Sequence, residues 1–136
     1  FRSLTVNWFE NSSILKIIKL AAENGFKLVI TTDHGMVYVK KPSQVVGDRE
    51  TSTNIRYKTG KSLTYDEKDV WAVTNPEKLF LPKGNLSSKY IFAKNNIFLA
   101  YPKNYNHFVN YYKDTYQHGG ISLEEVIIPI SILEPK

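Results

Sequence analysis

"FKLVITTDHG" (residues 26–35) is the stretch on which the reading of the fold turns. Residues 26–32 form a short, continuous apolar run rich in β-branched side chains. Such a run predicts a strand buried on both faces. Upstream, Ser12 or Ser13 is placed to cap a helix by accepting a backbone N–H. Ile14, Leu15, Ile17, Ile18, Ala21 and Ala22 then recur at helical spacing. Asn24-Gly25 ends that helix, because glycine tolerates the left-handed conformation that follows a helix. Helix, tight turn and buried strand make half of a βαβ unit, which predicts an α/β fold with a parallel sheet. Asp33 and His34 then fall at the carboxyl end of the strand, the edge where open α/β sheets gather their ligands.

Beyond this unit the signals are shorter. "MVYVKK" (residues 36–41) alternates apolar and polar side chains and predicts a short strand. Residues 42–59 are polar with scattered turn formers, and read as loop with one strand near residues 44–46. Asn75-Pro76 favours a turn, with Pro76 at the first position of one helical turn. "KYIFAKNNIFLAYP" (residues 89–102) predicts a hairpin around Asn95-Asn96. "NYNHFVNYYKDTYQ" (residues 104–117) is rich in Tyr and Asn and is left unassigned. "EEVIIPISIL" (residues 124–133) closes as a strand, with Pro129 marking an edge or bulge. The predicted architecture is a partial, mostly parallel sheet with flanking helices plus an antiparallel hairpin.

Length and composition narrow the functions. The 136 residues suit one domain or a large piece of one, and 42% hydrophobic residues supply a core. Zero cysteine excludes disulfides and thiolate metal sites. A metal would sit on His, Asp or Glu, as zinc or manganese do. The longest apolar run is too short to span a bilayer, and no signal peptide opens the chain. The expected setting is cytoplasmic, with no membrane partner. The opening "FRSLTVNWFE" has no initiating Met and no cap or turn signal, so it reads as cut from something longer. The net charge of +5, from 18 basic and 13 acidic residues, is compatible with an anionic substrate. The lysines are spread along the chain, as on an ordinary solvated surface.

Two glycine-marked turns carry the candidate chemistry. Adjacent residues of an extended strand point to opposite faces, so Asp33 and His34 meet at one ion only if the chain turns, which Gly35 permits. A carboxylate and an imidazole suit zinc. Taken alone, the dipeptide reads better as a capped turn. His118 stands in "QHGGISLEE" (residues 117–125), where Gly119 and Gly120 allow close backbone approach. Ser122 and Glu125 there match a capping box, so Glu124 and Glu125 read as cap residues. His107 has no acid or glycine beside it and reads as structural or surface. Arg56, Tyr57 and Lys58 in "IRYKTGK" (residues 55–61) are candidates to meet a phosphate, although basic loops are more often simply solvated.

Taken in order, "TTDHG" and "QHGGISLEEVIIP" resemble the carboxyl half of the alkaline phosphatase superfamily, and within it the PglZ domain. The resemblance implies a two-zinc site at the carboxyl edge of a mostly parallel sheet. Asp33 and His34 would bind the ion that also holds the nucleophile, and His118 the other ion. The runs "RSLTVNWFENSSILKIIK", "RYKTGK", "NPEKLFLP" and "NNIFLAYP" further resemble PorX-type response regulators of Bacteroidetes. Those carry an amino-terminal receiver and a carboxyl-terminal PglZ domain, and are tied to regulation of type IX secretion. The implied function is a zinc-dependent phosphatase or phosphodiesterase effector acting on a phosphate ester or nucleotide-type substrate. A sigma factor or secretion regulator is the implied protein partner.

In the family the Ser or Thr nucleophile and the remaining metal ligands lie upstream of the Asp-His pair. Asp33 and His34 are the first Asp and the first His here. The chain is therefore expected to be the carboxyl-terminal part of the domain, with no catalytic nucleophile of its own and little or no turnover alone. A sheet edge left open by a missing half favours a homodimer. The competing expectation is a non-catalytic output module that binds protein through the Tyr-rich residues 101–116.

Overall fold

The computed structural model describes residues 2–48, 51–84 and 87–135, which fall into two compact units. The first unit comprises Phe1–Asp33 and Ile128–Lys136. It holds α1 (Arg2–Asn11), α2 (Ser13–Glu23), β1 (Leu28–Thr31) and the last strand, β9 (Ile130–Leu133). Ser12 is the N-cap of α2 in extended conformation, and its hydroxyl donates back to the Phe9 carbonyl at 3.3 Å. Asn24 closes the helix, and Gly25 follows at φ +72°, the left-handed turn that glycine adopts without strain. α1 forms although its stretch carries no start signal.

β1 pairs antiparallel with β9, in register from Leu28 opposite Leu133 to Thr31 opposite Ile130. β1 alternates half-buried and exposed rather than being buried on both faces. Leu20 and Phe26, at 60% and 66% exposure, show how much apolar surface this unit presents. None of the described residues of α1 or α2 is buried.

The second unit, His34–Ile127, carries the core. Its strands are β2 (Val37–Val39), β3 (Lys41–Gln44), β4 (Tyr57–Gly60), β5 (Val70–Val73), β6 (Lys89–Ala93), β7 (Ile97–Ala100) and β8 (Thr115–Gln117). Its helices are α3 (Tyr105–Tyr112) and the single-turn α4 (Leu123–Val126), with a 3₁₀ turn at Pro76–Leu79 that starts on Pro76 as expected. β7 organises the interior, because successive side chains of a strand face opposite ways. Ile97 and Leu99 pack with Val45, Val70, Ile91 and Ala93. Phe98 and Ala100 pack with Val37 and Val39, under Tyr105, Val109 and Tyr112 of α3. Two of the stretch's tyrosines thus cover the sheet, while Tyr111 and Tyr116 stay exposed.

The topology corrects the predicted mostly parallel sheet. β3–β7 is the one parallel pair among the described strands; β1–β9, β2–β8 and the three-stranded β4–β6–β5 are antiparallel. Parallel neighbours need helical crossovers, and among the described residues of this unit α3 is the one helix longer than a turn. The predicted hairpin is also corrected. Both of its strands exist, and Asn95 turns between them at φ +46°, but they do not pair. β6 sits between β4 and β5, while β7 pairs with β3. Alternation identifies a strand but not its partner. Residues 42–59, read largely as loop, contain most of β3 and most of β4.

Candidate metal centre

Both glycine-marked turns have their histidines in the second unit, and the fold brings them together. The imidazole rings of His34 and His118 stack with centroids 3.7 Å apart and planes within 14°. His34 Nδ1 lies 2.8 Å from the Gly35 carbonyl oxygen. A carbonyl only accepts, so Nδ1 carries the proton and the lone pair falls on Nε2. A hydrogen bond of this kind fixes the tautomer and ring orientation of a metal-binding histidine. Two imidazoles this close suit two neighbouring ions, as in dinuclear sites with ions about 3.5–4 Å apart.

Asp33 belongs to the first unit. It stands exposed just past β1, where the Thr32 hydroxyl donates to its Oδ1 at 3.3 Å. Among the described residues no group of three or more His, Asp or Glu gathers as a ready cation cage. Two imidazoles nonetheless form a donor set that fits zinc by chemistry.

What holds the two turns is a buried ion pair. Arg56 is 0% exposed and grips Glu125 in a two-pronged contact, Nε to Oε1 at 2.8 Å and Nη2 to Oε2 at 2.9 Å. A third donor, Nη1, reaches the Ile97 carbonyl of β7. The same Glu125 carboxylate accepts from Gly120 N at 2.9 Å and Ser122 N at 3.1 Å, the acid's half of the expected capping box. The Glu125 carbonyl accepts from Gly35 N at 2.9 Å. One residue therefore ties the His34 turn to the His118 turn. Burial alone would raise the Glu125 carboxyl pKa, but the Arg56 contact, helped by Ser122 and Gly120, outweighs it and holds the acid below its ordinary value.

The glycines are there for space. A Cβ on Gly35 would run into the Glu124 carbonyl oxygen, and one on Gly120 would come within 2.5 Å of Glu125 Oε2. Gly119 also sits at φ +100°, with Asn54 Nδ2 2.6 Å from where its Cβ would stand.

The three candidates of the basic stretch part company. Arg56 and Lys58 both face the interior, whereas Tyr57 turns to the opposite face beside Tyr90 and Phe92 at ring distances of 6.3 and 6.1 Å. His107 lies on α3, exposed, with its ring 6.4 Å from that of Tyr111. The sequence pointed to Glu125 through its spacing from Ser122. It held no signal that Arg56, 69 positions away, would be its partner.

The chain does not match any curated protein. The family model described as the BREX system PglZ alkaline phosphatase-like domain matches residues 7–132, nearly the whole length. That match suggests a phosphoesterase-type function with a phosphoester as the substrate class, in a superfamily that is typically metal-dependent. No described helix is long and apolar enough to cross a membrane. With the His34 and His118 rings stacked between two glycine turns, and the family model running across both, the chain belongs to the PglZ family of alkaline phosphatase-like domains.

Proposed function

We propose that this chain is the metal-binding carboxyl-terminal part of a zinc-dependent phosphodiesterase or phosphatase, with Asp33, His34 and His118 as ligands. The observation that carries the reading is the His34–His118 ring pair, held parallel at 3.7 Å across 84 positions of sequence. His34 would offer Nε2 to one ion, its ring steadied through Nδ1 by the Gly35 carbonyl. His118 would offer a ring nitrogen to the second ion, and Asp33 a carboxylate beside His34. Bound there, zinc would supply Lewis-acid charge to the phosphoryl oxygens. The Arg56–Glu125 pair would keep both histidine turns in register.

The Ser or Thr nucleophile and the remaining ligands would stand on a part of the protein outside these 136 residues. The exposed apolar side chains of α1 and α2 would be covered there. The motif resemblance further suggests a response regulator linked to type IX secretion, a nucleotide-type substrate and a cytoplasmic setting. A protein-binding output role for the same domain draws on the exposed Tyr111 and Tyr116.

The test is hydrolysis of a bis-aryl phosphate diester by the full-length protein with zinc, alongside zinc stoichiometry by calorimetry. His34→Ala and His118→Ala are expected to lose at least about 100-fold in turnover and to bind less zinc while remaining folded. Full activity in either variant, or a zinc-loaded wild type inert on diesters and monoesters, would leave the two turns as architecture.

A further inference from the structure

Lys58 is 1% exposed, yet no acid or hydrogen-bond acceptor meets its ammonium among the described residues. Its contact is the face of the Tyr101 ring, with Nζ 4.1 Å from the centroid. A buried ammonium without a counterion is costly unless something compensates it, and one ring compensates only in part. Lys58 borders a cavity of about 210 Å³ in the second unit. Ile55, Leu99, Phe108, Tyr101 and Tyr112 form its walls, and among the described residues no carboxylate lines it. Tyr101 and Phe108 also border a larger, open groove of about 670 Å³. The Tyr101 hydroxyl donates to the Ser52 carbonyl at 2.7 Å, so the ring beneath the ammonium is held in place.

We propose that this cavity is a binding site for a small monoanion with an apolar, planar body, of the aryl carboxylate class, whose charge pairs with Lys58. Nothing in this proposal depends on the metal centre, because neither histidine lines the cavity. The size sets the ligand class. A volume near 210 Å³ lies below that of common drug-sized pockets, so the body is about one aromatic ring. The walls select its character, since aromatic and aliphatic side chains favour a flat apolar body. The single cation sets the charge. A phosphate dianion calls for several convergent donors, whereas a carboxylate is matched by one ammonium and a hydroxyl or water. Burial brings the Lys58 pKa down to about 8, the state expected of a cation lacking the partner that a bound carboxylate would supply.

Calorimetric titration of the chain with benzoate, benzyl alcohol and inorganic phosphate tests this. Benzoate is expected to bind with a dissociation constant on the order of 1 mM, and Lys58→Met to weaken it at least about tenfold. Benzyl alcohol is expected to bind more weakly than benzoate, equally to both forms, and phosphate not to bind. Ile55→Trp keeps Lys58 but fills the cavity, and should also abolish benzoate binding. That variant decides the matter if Lys58→Met fails to fold. Benzoate binding unchanged by either substitution, or absent from the folded wild type at tens of millimolar, overturns the proposal. Phosphate binding as tight as benzoate overturns the ligand class.

Discussion

Arg56 and Lys58 are two buried cations, two positions apart, facing the same interior, and the molecule treats them in opposite ways. Arg56 has a carboxylate gripped at two points and a backbone carbonyl besides. Lys58 has the face of a tyrosine ring. A buried charge whose hydrogen bonds are all met behaves as architecture, because its desolvation is offset in place. A buried charge that still lacks an anion is held in a costly state, and such states gather at functional sites. Burial and residue type do not separate the two cases; the partner does. That is why Arg56 supports the candidate metal centre from behind while Lys58 fronts a cavity.

The comparison breaks most visibly if Glu125 is removed. Glu125→Ala strands Arg56 without its counterion and frees both glycine turns, and should destabilise the chain by about 3–5 kcal/mol in denaturant unfolding. A loss under about 1 kcal/mol would show that the pair is ornamental. Glu125→Gln sharpens the point through pH. The folded pKa of Glu125 lies below its unfolded value, so its contribution is present above the unfolded pKa and fades as pH falls through the folded one. The wild type should therefore lose stability in acid more steeply than the Gln variant.

Lys58 should show a slope of the same sign, stability rising with pH, but at alkaline rather than acid pH and with a smaller effect. Its folded pKa of about 8 lies below the ordinary 10.5, so between those values the unfolded chain binds more protons and stability rises with pH. The rise is on the order of 3 kcal/mol at most. Lys58→Met should be at least as stable as wild type at pH 7 and should lack the slope between pH 8 and 9.5. Matching slopes would mean that the ammonium is solvated after all. Gly120→Ala comes next, costing about 1–3 kcal/mol because the added methyl displaces the Glu125 carboxylate that Arg56 grips. Tyr101→Leu should have the smallest effect, about 1 kcal/mol, and should lower the Lys58 pKa further by removing the ring beneath it. An unchanged Lys58 titration in that variant would detach the ring from the charge.

Local chemistry was legible wherever it was decided by neighbours in the chain. Asn24-Gly25 ends a helix, Pro76 starts a 3₁₀ turn, and Ser122 with Glu125 marks the start of α4. β6 and β7 stand where the apolar runs on either side of Asn95-Asn96 placed them. The two histidine turns were visible as motifs because glycine leaves a clear mark where backbone comes close. Pairing was not legible. The hairpin between β6 and β7 failed because both strands carry the same apolar run and either could serve several partners. The parallel sheet failed because a single helix–turn–strand unit does not say which strand lies beside it.

The sequence by itself determined the helix caps, several of the strands and the glycines that meet close backbone, since each depends on a few adjacent side chains and their intrinsic geometry. Only the tertiary structure decided that His34 lies against His118, that Arg56 meets Glu125, and that Lys58 meets no acid among the described residues. Those contacts join positions 69 and 84 residues apart or depend on what is missing from a cavity wall among the described residues. Such relations come from the packing of whole elements around β7, where the free energy of the assembled core, and not any local preference, selects the neighbours.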